Sequence, residues 1–314
     1  MGDRMGSRSF PVLCLLLALG VLLLHSAREP TLEVQPTLAD SRHGGKPCEP
    51  LRIACIGDSL TEPAGFGGCA SPQHLPHYPC SLRPLLNGSA EVRIYGCSKT
   101  TGHYSGARAW VRRCADKYQA ALDFAPQLVF AMFGTNDAMP EFWLPGLGGM
   151  GEAALAAKLV SDVAAIVARF LALPSAPLVV VLLPPSHTRH LERRTDGDRA
   201  KRRQLGGMPL RVWREHRRVL VETLRPALRR VGPSAEILRP ALVASTSSRA
   251  HGPREHPCGP SRVEVADLWP ALPEDDTLFL DGLHPNLEGA SLLAEHVAKE
   301  VRRLCNRTAQ SRSR

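Results

Sequence analysis

The 314-residue sequence has few aromatic side chains and none of the paired cysteine or histidine patterns that hold metals. Aromatics make up 5% of residues, and no nucleic-acid-binding motif accompanies the net charge of +9, so no nucleic-acid partner is predicted. The absence of any Cys-x-x-Cys pair excludes the common zinc and thioredoxin-type motifs. The sequence predicts no metal and no other cofactor, and we expect surface or loop positions for five scattered histidines: His74, His77, His103, His187 and His190.

The sequence also lacks an apolar run of about 20 residues, the length that a relaxed membrane span needs. Its N-terminal apolar run, residues 10–24, follows two arginines, as in a secretory signal. Residues 1–27 are therefore predicted to be a signal peptide ending at Ala27. An uncleaved anchor is the alternative, because bulky His25 suits the cleavage site poorly. Either segment directs the protein to the secretory pathway, as a secreted or lumenal domain, with membrane contact only through such an anchor.

The remaining chain is long enough for one large domain with a substantial core. Hydrophobic residues make up 44% and charged residues 22%, the balance of an ordinary globular protein. Residues 28–50 are polar and contain several prolines and glycines, which predicts a linker or stem. We expect the folded domain at 51–305 and a basic tail at 306–314.

Short apolar runs predict a buried sheet. They are apolar throughout rather than alternating, which is typical of parallel strands covered on both faces, and helical stretches separate them. The fold class predicted is therefore α/β. The expected strands are Leu51–Ile56, Val92–Tyr95, Gln127–Phe133 and Pro177–Leu183; the main expected helices are 151–173, 209–230 and 287–304; loops or irregular segments are expected at 65–84, 189–207 and 240–262.

Eight cysteines lie outside the N-terminal apolar run, an even number that permits disulfides in an oxidising compartment. Spacing does not fix their connectivity, but Cys69 with Cys80 is the first local pair to test. Cys55 lies inside an apolar strand and is the candidate for a buried free thiol. Two glycosylation sequons, at Asn87 and Asn306, fit the same compartment.

Three polar clusters follow or adjoin these apolar segments and carry residue types used in nucleophilic catalysis. Ser59 follows the first strand in Gly-Asp-Ser-Leu, and Asn136 follows the third in Gly-Thr-Asn-Asp. Asp281 and His284 precede the last helix in Asp-Gly-Leu-His-Pro. Because the carboxyl ends of parallel strands share one edge of a sheet, we expect these clusters to lie close together. The sequence lacks a Gly-x-Ser-x-Gly elbow, which disfavours the α/β-hydrolase arrangement.

These three blocks, in this order and across positions 57–285, resemble the GDSL or SGNH hydrolases. The resemblance implies a three-layer α/β/α sandwich with a mostly parallel sheet of about five strands. It implies that Ser59 is the nucleophile, that His284 is its base and that Asp281 orients the histidine. A serine hydroxyl needs a neighbouring base, an imidazole accepts a proton near neutral pH, and a carboxylate fixes its tautomer.

The resemblance also assigns an oxyanion hole to the Ser59 backbone N–H, the Asn136 side chain and the backbone N–H of a glycine in a second block. Here the sequence departs from the family pattern, because Gly96-Cys97-Ser98-Lys99-Thr100 places Lys99 at that glycine position. Any residue except proline supplies a backbone N–H, so Lys99 remains the candidate donor. If the loop demands a positive φ, a lysine is strained there.

The sequence therefore predicts a serine esterase that hydrolyses a small-molecule or glycan acyl ester, and the positive charge favours an anionic glycan. Much of that charge lies in 189–203 and 211–230, where a solvated loop and the polar face of a helix are the simpler explanation. The alternatives are a lysophospholipase, an acyltransferase to a sugar hydroxyl, and a catalytically inactive glycan-binding protein. Only the departure at Lys99 supports inactivity.

Overall fold

The computed structural model describes residues 49–62, 69, 77–103, 107–137, 152–185, 217–218, 220–224, 226–227, 258, 262–273 and 275–312. Five strands among these residues form one sheet: β1 Leu51–Gly57, β2 Ala90–Gly96, β3 Leu128–Met132, β4 Leu178–Leu183 and β5 Arg262–Asp267. Every neighbouring pair is parallel, and the order across the sheet is β2-β1-β3-β4-β5.

Helices connect and cover the strands. The α-helices are α1 Tyr78–Leu85, α2 Trp110–Arg113, α3 Ala115–Asp123, α4 Glu152–Leu171 and α5 Leu287–Arg312. A π-helical turn spans Leu220–Leu224, and 3₁₀ turns span Trp269–Ala271 and Asp276–Leu278. None of the helices among the described residues is both long and apolar enough to span a membrane.

The central strands are buried on both faces, which explains their continuous apolar sequence. Successive residues of β1 point to opposite sides: Ile53 joins the core beneath α1 and α5, and Ala54 joins the core beneath α2, α3 and α4. Phe130 of β3 and Phe170 of α4 are fully buried, one in each core. Each such side chain contributes about 1.5–3 kcal/mol to stability. The predicted three-layer α/β/α sandwich is confirmed.

All four predicted strands are present, but two segments that were expected to be loop or irregular contain a helix and the start of a strand. Residues 65–84 were expected to be a loop, yet α1 begins at Tyr78. Pro79 does not prevent this helix, because it lies in the first helical turn, where a missing N–H costs nothing. The segment 240–262 was expected to be irregular to its end, yet β5 begins at Arg262. Its alternation of charged and apolar residues is that of an exposed edge strand rather than of a buried one.

Several predictions on the terminal and loop segments lie outside the described residues. These include the signal segment 1–27, nearly all of the linker 28–50, the loop 189–207 and most of the helix expected at 209–230. The last helix begins at Leu287 as predicted but continues to Arg312, beyond the expected end.

Among the residues that the structure describes, six cysteines form three disulfides: Cys69–Cys80, Cys97–Cys114 and Cys258–Cys305. The first is the local pair expected from the sequence. Cys55 is a buried free thiol on β1, as its apolar surroundings suggested, and burial raises its pKa to about 12. Cys97 is bonded at the C-terminal end of β2, so one disulfide secures the turn that follows this strand to the start of α3.

The winding of the chain reverses at β1, which lies between β2 and β3. After β1 the chain moves to one side to form β2, and it then returns to the other side to form β3. A crevice forms outside the carboxyl ends of the strands at such a switch point, where open α/β sheets bind ligands. Ser59, which follows β1, and Asn136, which follows β3, both lie at this reversal.

Gly96, at the end of β2, packs closely against the turn that follows β1. A Cβ at Gly96 would lie 2.2 Å from the backbone nitrogen of Glu62 and 2.5 Å from the carbonyl carbon of Thr61. These are backbone atoms of the turn that carries Ser59, so they have little freedom to move. The absence of a side chain at Gly96 therefore sets the distance between the two turns.

We expect Gly96→Ala to lower the free energy of unfolding by about 3 kcal/mol or more, because it forces a backbone contact below van der Waals distance. Gly88→Ala is the matched control. Its Cβ meets nothing within 4 Å and only its φ of +71° is unfavourable, so it should cost about 1 kcal/mol. Urea denaturation of both variants measures the difference, and equal losses would contradict the packing argument.

Candidate active site

Ser59 lies in a tight turn directly after β1. The amide nitrogens of Thr61 and Glu62 both donate to the carbonyl oxygen of Asp58, at 3.1 Å each. The Leu60 amide donates to Asp58 Oδ1 at 3.0 Å, so the aspartate side chain closes the same turn. The turn holds Ser59 half-buried at the carboxyl edge of the sheet while its neighbours on both sides are buried.

Asp281 and His284 come from one loop between the last 3₁₀ turn and α5. The loop is closed by the Leu280 amide, which donates to the His284 carbonyl at 2.8 Å, and it turns at Gly282, where φ is +87°. Asp281 Oδ1 accepts the amide hydrogens of Leu283 at 3.0 Å and of His284 at 2.8 Å. The carboxylate is therefore fixed by the backbone of the loop that carries the imidazole.

The three side chains form a continuous hydrogen-bonded chain. Asp281 Oδ2 lies 2.8 Å from His284 Nδ1, and His284 Nε2 lies 3.1 Å from Ser59 Oγ. Because Asp281 accepts at Nδ1, the proton of a neutral ring lies on that nitrogen and Nε2 is left to accept from the serine hydroxyl. The spatial arrangement expected from the sequence is present across a separation of 225 residues.

The electrostatics of the pair favour an imidazole that attracts a proton. Burial lowers the pKa of His284, but the hydrogen bond and the negative charge of Asp281 outweigh it and leave the pKa above its ordinary value. Burial likewise raises the pKa of Asp281, yet the bonds to His284 bring it down to about 2. Asp281 is therefore ionised throughout the neutral range.

Asn136 follows β3 and lies 5% exposed beside the turn after β2. One hydrogen of its side-chain amide donates to the Thr100 carbonyl at 2.7 Å. An amide nitrogen carries two hydrogens, so the second is left for another acceptor. The bond to Thr100 connects the end of β3 to the turn that follows β2.

That turn, Cys97–Thr101, is also bonded to the end of β1. The Cys97 amide donates to the Gly57 carbonyl at 2.9 Å, and the Thr100 hydroxyl donates to the Cys97 carbonyl at 2.6 Å. Lys99, at the top of the turn, is exposed and has a φ of +62°. The turn therefore demands the left-handed conformation that glycine adopts freely, and lysine holds it at a cost of about 1 kcal/mol.

Two buried carboxylates lie beneath the site. Asp58 and Asp137 are fully buried, and burial raises the pKa of Asp58 to about 6 and that of Asp137 to about 7. Asp58 has a structural role here, because its side chain accepts from the Leu60 amide. Asp137 was not singled out, although its position directly after Asn136 at a strand end was a usable signal.

Two of the scattered histidines, His77 and His103, lie outside helices and strands, as expected, but each is only 5% exposed. The other three, His74, His187 and His190, lie outside the described residues. Among the described residues, no group of three or more His, Cys, Asp or Glu side chains is arranged to hold a metal ion.

Comparison with known proteins gives a family model and one curated relative. The model of the GDSL-like Lipase/Acylhydrolase family matches residues 55–292, a range that contains Ser59, Asn136, Asp281 and His284. An acetylxylan esterase from Xylanibacter ruminicola is 34% identical over 96 residues. That segment is 31% of this chain and only 19% of the relative's length.

Solved structures were also compared. A carbohydrate acetylesterase family member from Sinorhizobium meliloti is 19% identical, with a TM-score of 0.49, and the match covers 82% of this chain and 99% of that one. The native aryl esterase of M. smegmatis is 19% identical, with a TM-score of 0.47, and the match covers 81% of this chain and 99% of that one.

Proposed function

Since this chain belongs to the GDSL-like lipase/acylhydrolase family and is a carboxylic ester hydrolase, we propose that it cleaves esters through an acyl-enzyme on Ser59. In this proposal His284 is the general base and Asp281 orients it. The observation that carries the proposal is the chain of hydrogen bonds from Asp281 through His284 to the Ser59 hydroxyl, with distances of 2.8 and 3.1 Å.

The geometry supports a two-step reaction. His284 Nε2 accepts the Ser59 proton as the serine oxygen attacks the ester carbonyl, and the imidazolium then donates that proton to the departing alcohol. Asp281 stabilises the imidazolium through Nδ1. A water molecule then takes the place of the alcohol, His284 accepts its proton, and collapse of the second intermediate releases the acid and restores Ser59.

The oxyanion of each intermediate needs donors that are already in place. We assign this role to the second hydrogen of the Asn136 amide and to the backbone N–H groups of Ser59 and Lys99. The left-handed conformation of Lys99 supports its assignment, because lysine holds here the backbone geometry for which the family pattern has glycine. Loss of one such donor typically costs about 3–4 kcal/mol of transition-state stabilisation.

For the substrate we propose a short acyl ester of a carbohydrate. The relative with the matching 96-residue segment is named for activity on acetylated xylan. The exposed ammonium of Lys99 and the net charge of +9 favour a carbohydrate that also carries negative charge. Hydrolysis of lysophospholipids and acyl transfer to a sugar hydroxyl are alternative outcomes of the substrate test below.

We also propose that the protein works in the secretory pathway. Three disulfides are typical of proteins folded under oxidising conditions. The sequon asparagines Asn87 and Asn306 are both exposed, so a glycan is sterically acceptable at either position. The N-terminal segment 1–27 is proposed to direct the chain there.

Replacing either member of the proposed serine–histidine pair should remove esterase activity. We expect Ser59→Ala and His284→Ala each to lower kcat for p-nitrophenyl acetate by about 10⁴-fold or more, with little change in the melting temperature. Ser291→Ala is a matched control on the exposed surface of α5. Near-normal turnover in either site variant would refute the assignment, and an inactive parent protein would favour the glycan-binding alternative.

The pH dependence of kcat/KM tests the role of Asp281. The rate should fall as the pH drops through the pKa of His284, which Asp281 holds above the ordinary value of about 6.5. In Asp281→Asn the charge is lost, so the acidic limb should move to lower pH while kcat falls less than in His284→Ala. An unmoved limb would contradict this electrostatic role, and a loss of kcat as large as that of His284→Ala would contradict the orientation role.

A panel of esters separates the proposed substrate classes. We expect the release of acetate from acetylated oligosaccharides to exceed, by about tenfold or more in kcat/KM, the release of fatty acid from lysophosphatidylcholine. Anionic oligosaccharides should be preferred over neutral ones, and this preference should weaken at high salt. Faster lysophospholipid cleavage would overturn the carbohydrate proposal, and acylated sugar as the main product with an added acceptor would favour transfer.

A further inference from the structure

A second histidine, behind Asn136, is held between two carboxylates. His103 Nδ1 lies 3.2 Å from Asp162 Oδ2 on α4, and His103 Nε2 lies 3.4 Å from Asp137 Oδ1. The Lys158 ammonium binds the same Asp162 oxygen at 2.5 Å. The His103 and Asp137 side chains are 7% and 0% exposed, so water does not screen their interaction.

The positions of the acceptors determine where the protons lie. Asp162 Oδ2 binds the Lys158 ammonium, so the same oxygen accepts from His103 Nδ1–H. In a neutral ring Nε2 then carries a lone pair, and this lone pair faces an oxygen of Asp137. Two acceptors facing each other in a buried site repel, and a single proton between them removes the repulsion.

We propose that one proton is retained between His103 Nε2 and Asp137 Oδ1, and that this protonated pair positions the turn that holds the Asn136 amide. Asp137 and His103 are positioning residues here, because neither touches the reacting atoms. The proposal rests on the function assigned above in one respect only, which is that Asn136 is an oxyanion donor.

The connection from this pair to Asn136 is short. The Gly102 amide donates to both Asp137 oxygens, at 3.1 and 2.9 Å, so Asp137 holds the end of the turn. Two residues earlier, the Thr100 carbonyl accepts from Asn136 Nδ2 at 2.7 Å. Gly102 packs closely against α4, because a Cβ there would lie 2.9 Å from Leu159. A change in the charge of Asp137 therefore reaches the Thr100 carbonyl through two residues of the turn.

Burial, more than the charged groups around it, favours the neutral form of Asp137. Asp58 approaches from the β1 turn, His103 from the turn after β2, and Asp162 with Lys158 from α4. Burial and the nearby Asp58 charge raise the pKa of Asp137 to about 7, and burial lowers that of His103. The proton therefore lies on Asp137, and its loss at alkaline pH leaves a second buried negative charge behind the proposed oxyanion hole.

The test compares the kcat profile of the parent with that of Asp137→Asn, an isostere of the protonated side chain. In the parent, kcat should decline severalfold as the pH rises above about 7, because the buried charge disfavours the oxyanion. In Asp137→Asn this decline should be absent, so that kcat at alkaline pH stays close to kcat at neutral pH. The same decline in both proteins would overturn the proposal.

Asp162→Asn is a second variant on the partly exposed surface of α4. An amide at this position can donate to His103 Nδ1 and so turn Nε2 into a donor, which lets Asp137 ionise more readily. We expect the alkaline decline to move to lower pH in Asp162→Asn. Asp116→Asn, on the exposed surface of α3, should leave the profile unchanged. An unmoved decline in Asp162→Asn would contradict the assigned proton position.

A thermal measurement tests the proton without using activity. Because the pKa of Asp137 is raised on folding, the retained proton stabilises the fold fully below the unfolded value of about 4, and this stability is lost as the pH approaches 7. The melting temperature of the parent should therefore fall over this window relative to Asp137→Asn. If the difference in melting temperature between the parent and Asp137→Asn does not depend on pH, the retained proton is refuted, whatever the role of Ser59. An active Ser59→Ala variant would instead refute the catalytic assignment and leave the retained proton untouched.

Discussion

The hydrogen bond between His284 Nε2 and the Ser59 hydroxyl is the contact on which the proposed site depends. It joins a turn near the start of the domain to a loop near its end, 225 residues apart in sequence. Contacts other than this hydrogen bond also hold each of the two residues in place. The Ser59 turn is closed by the Asp58 side chain, and the His284 loop is closed by Asp281 and by its own backbone. Both segments are therefore held by their own hydrogen bonds before a substrate arrives, as catalysis through preorganised groups requires.

The parallel sheet makes this meeting of distant residues possible. Because every strand runs in the same direction, all of the carboxyl ends face one edge, and the reversal of winding at β1 leaves space there. The turn after β2 closes that space from the side, held by the Gly57 carbonyl, by Asn136 and by a disulfide. The ends of β1, β2 and β3 are thus joined by one network of hydrogen bonds.

Much of the fold and of the site could be predicted because local sequence patterns indicate it. Continuous apolar runs identified β1 to β4, and the spacing of Asp281 and His284 identified one loop as the source of both. The failures have physical causes. An edge strand such as β5 keeps charged residues, so its burial pattern is weak, and α1 contains Pro79 and Pro84. The burial of His103 and Asp137 was not predicted, because it results from the packing of α4 against the turn after β2, which no local sequence pattern indicates.

The central claim is that Ser59 carries the acyl group, and direct detection of a covalent adduct tests it best. The parent protein, treated with a fluorophosphonate and digested under non-reducing conditions, should show one modified peptide by mass spectrometry, with the added mass on Ser59. Prior occupation by a slowly hydrolysed ester should block the modification. A modification on another serine, or none in folded protein that still hydrolyses esters, would contradict the account.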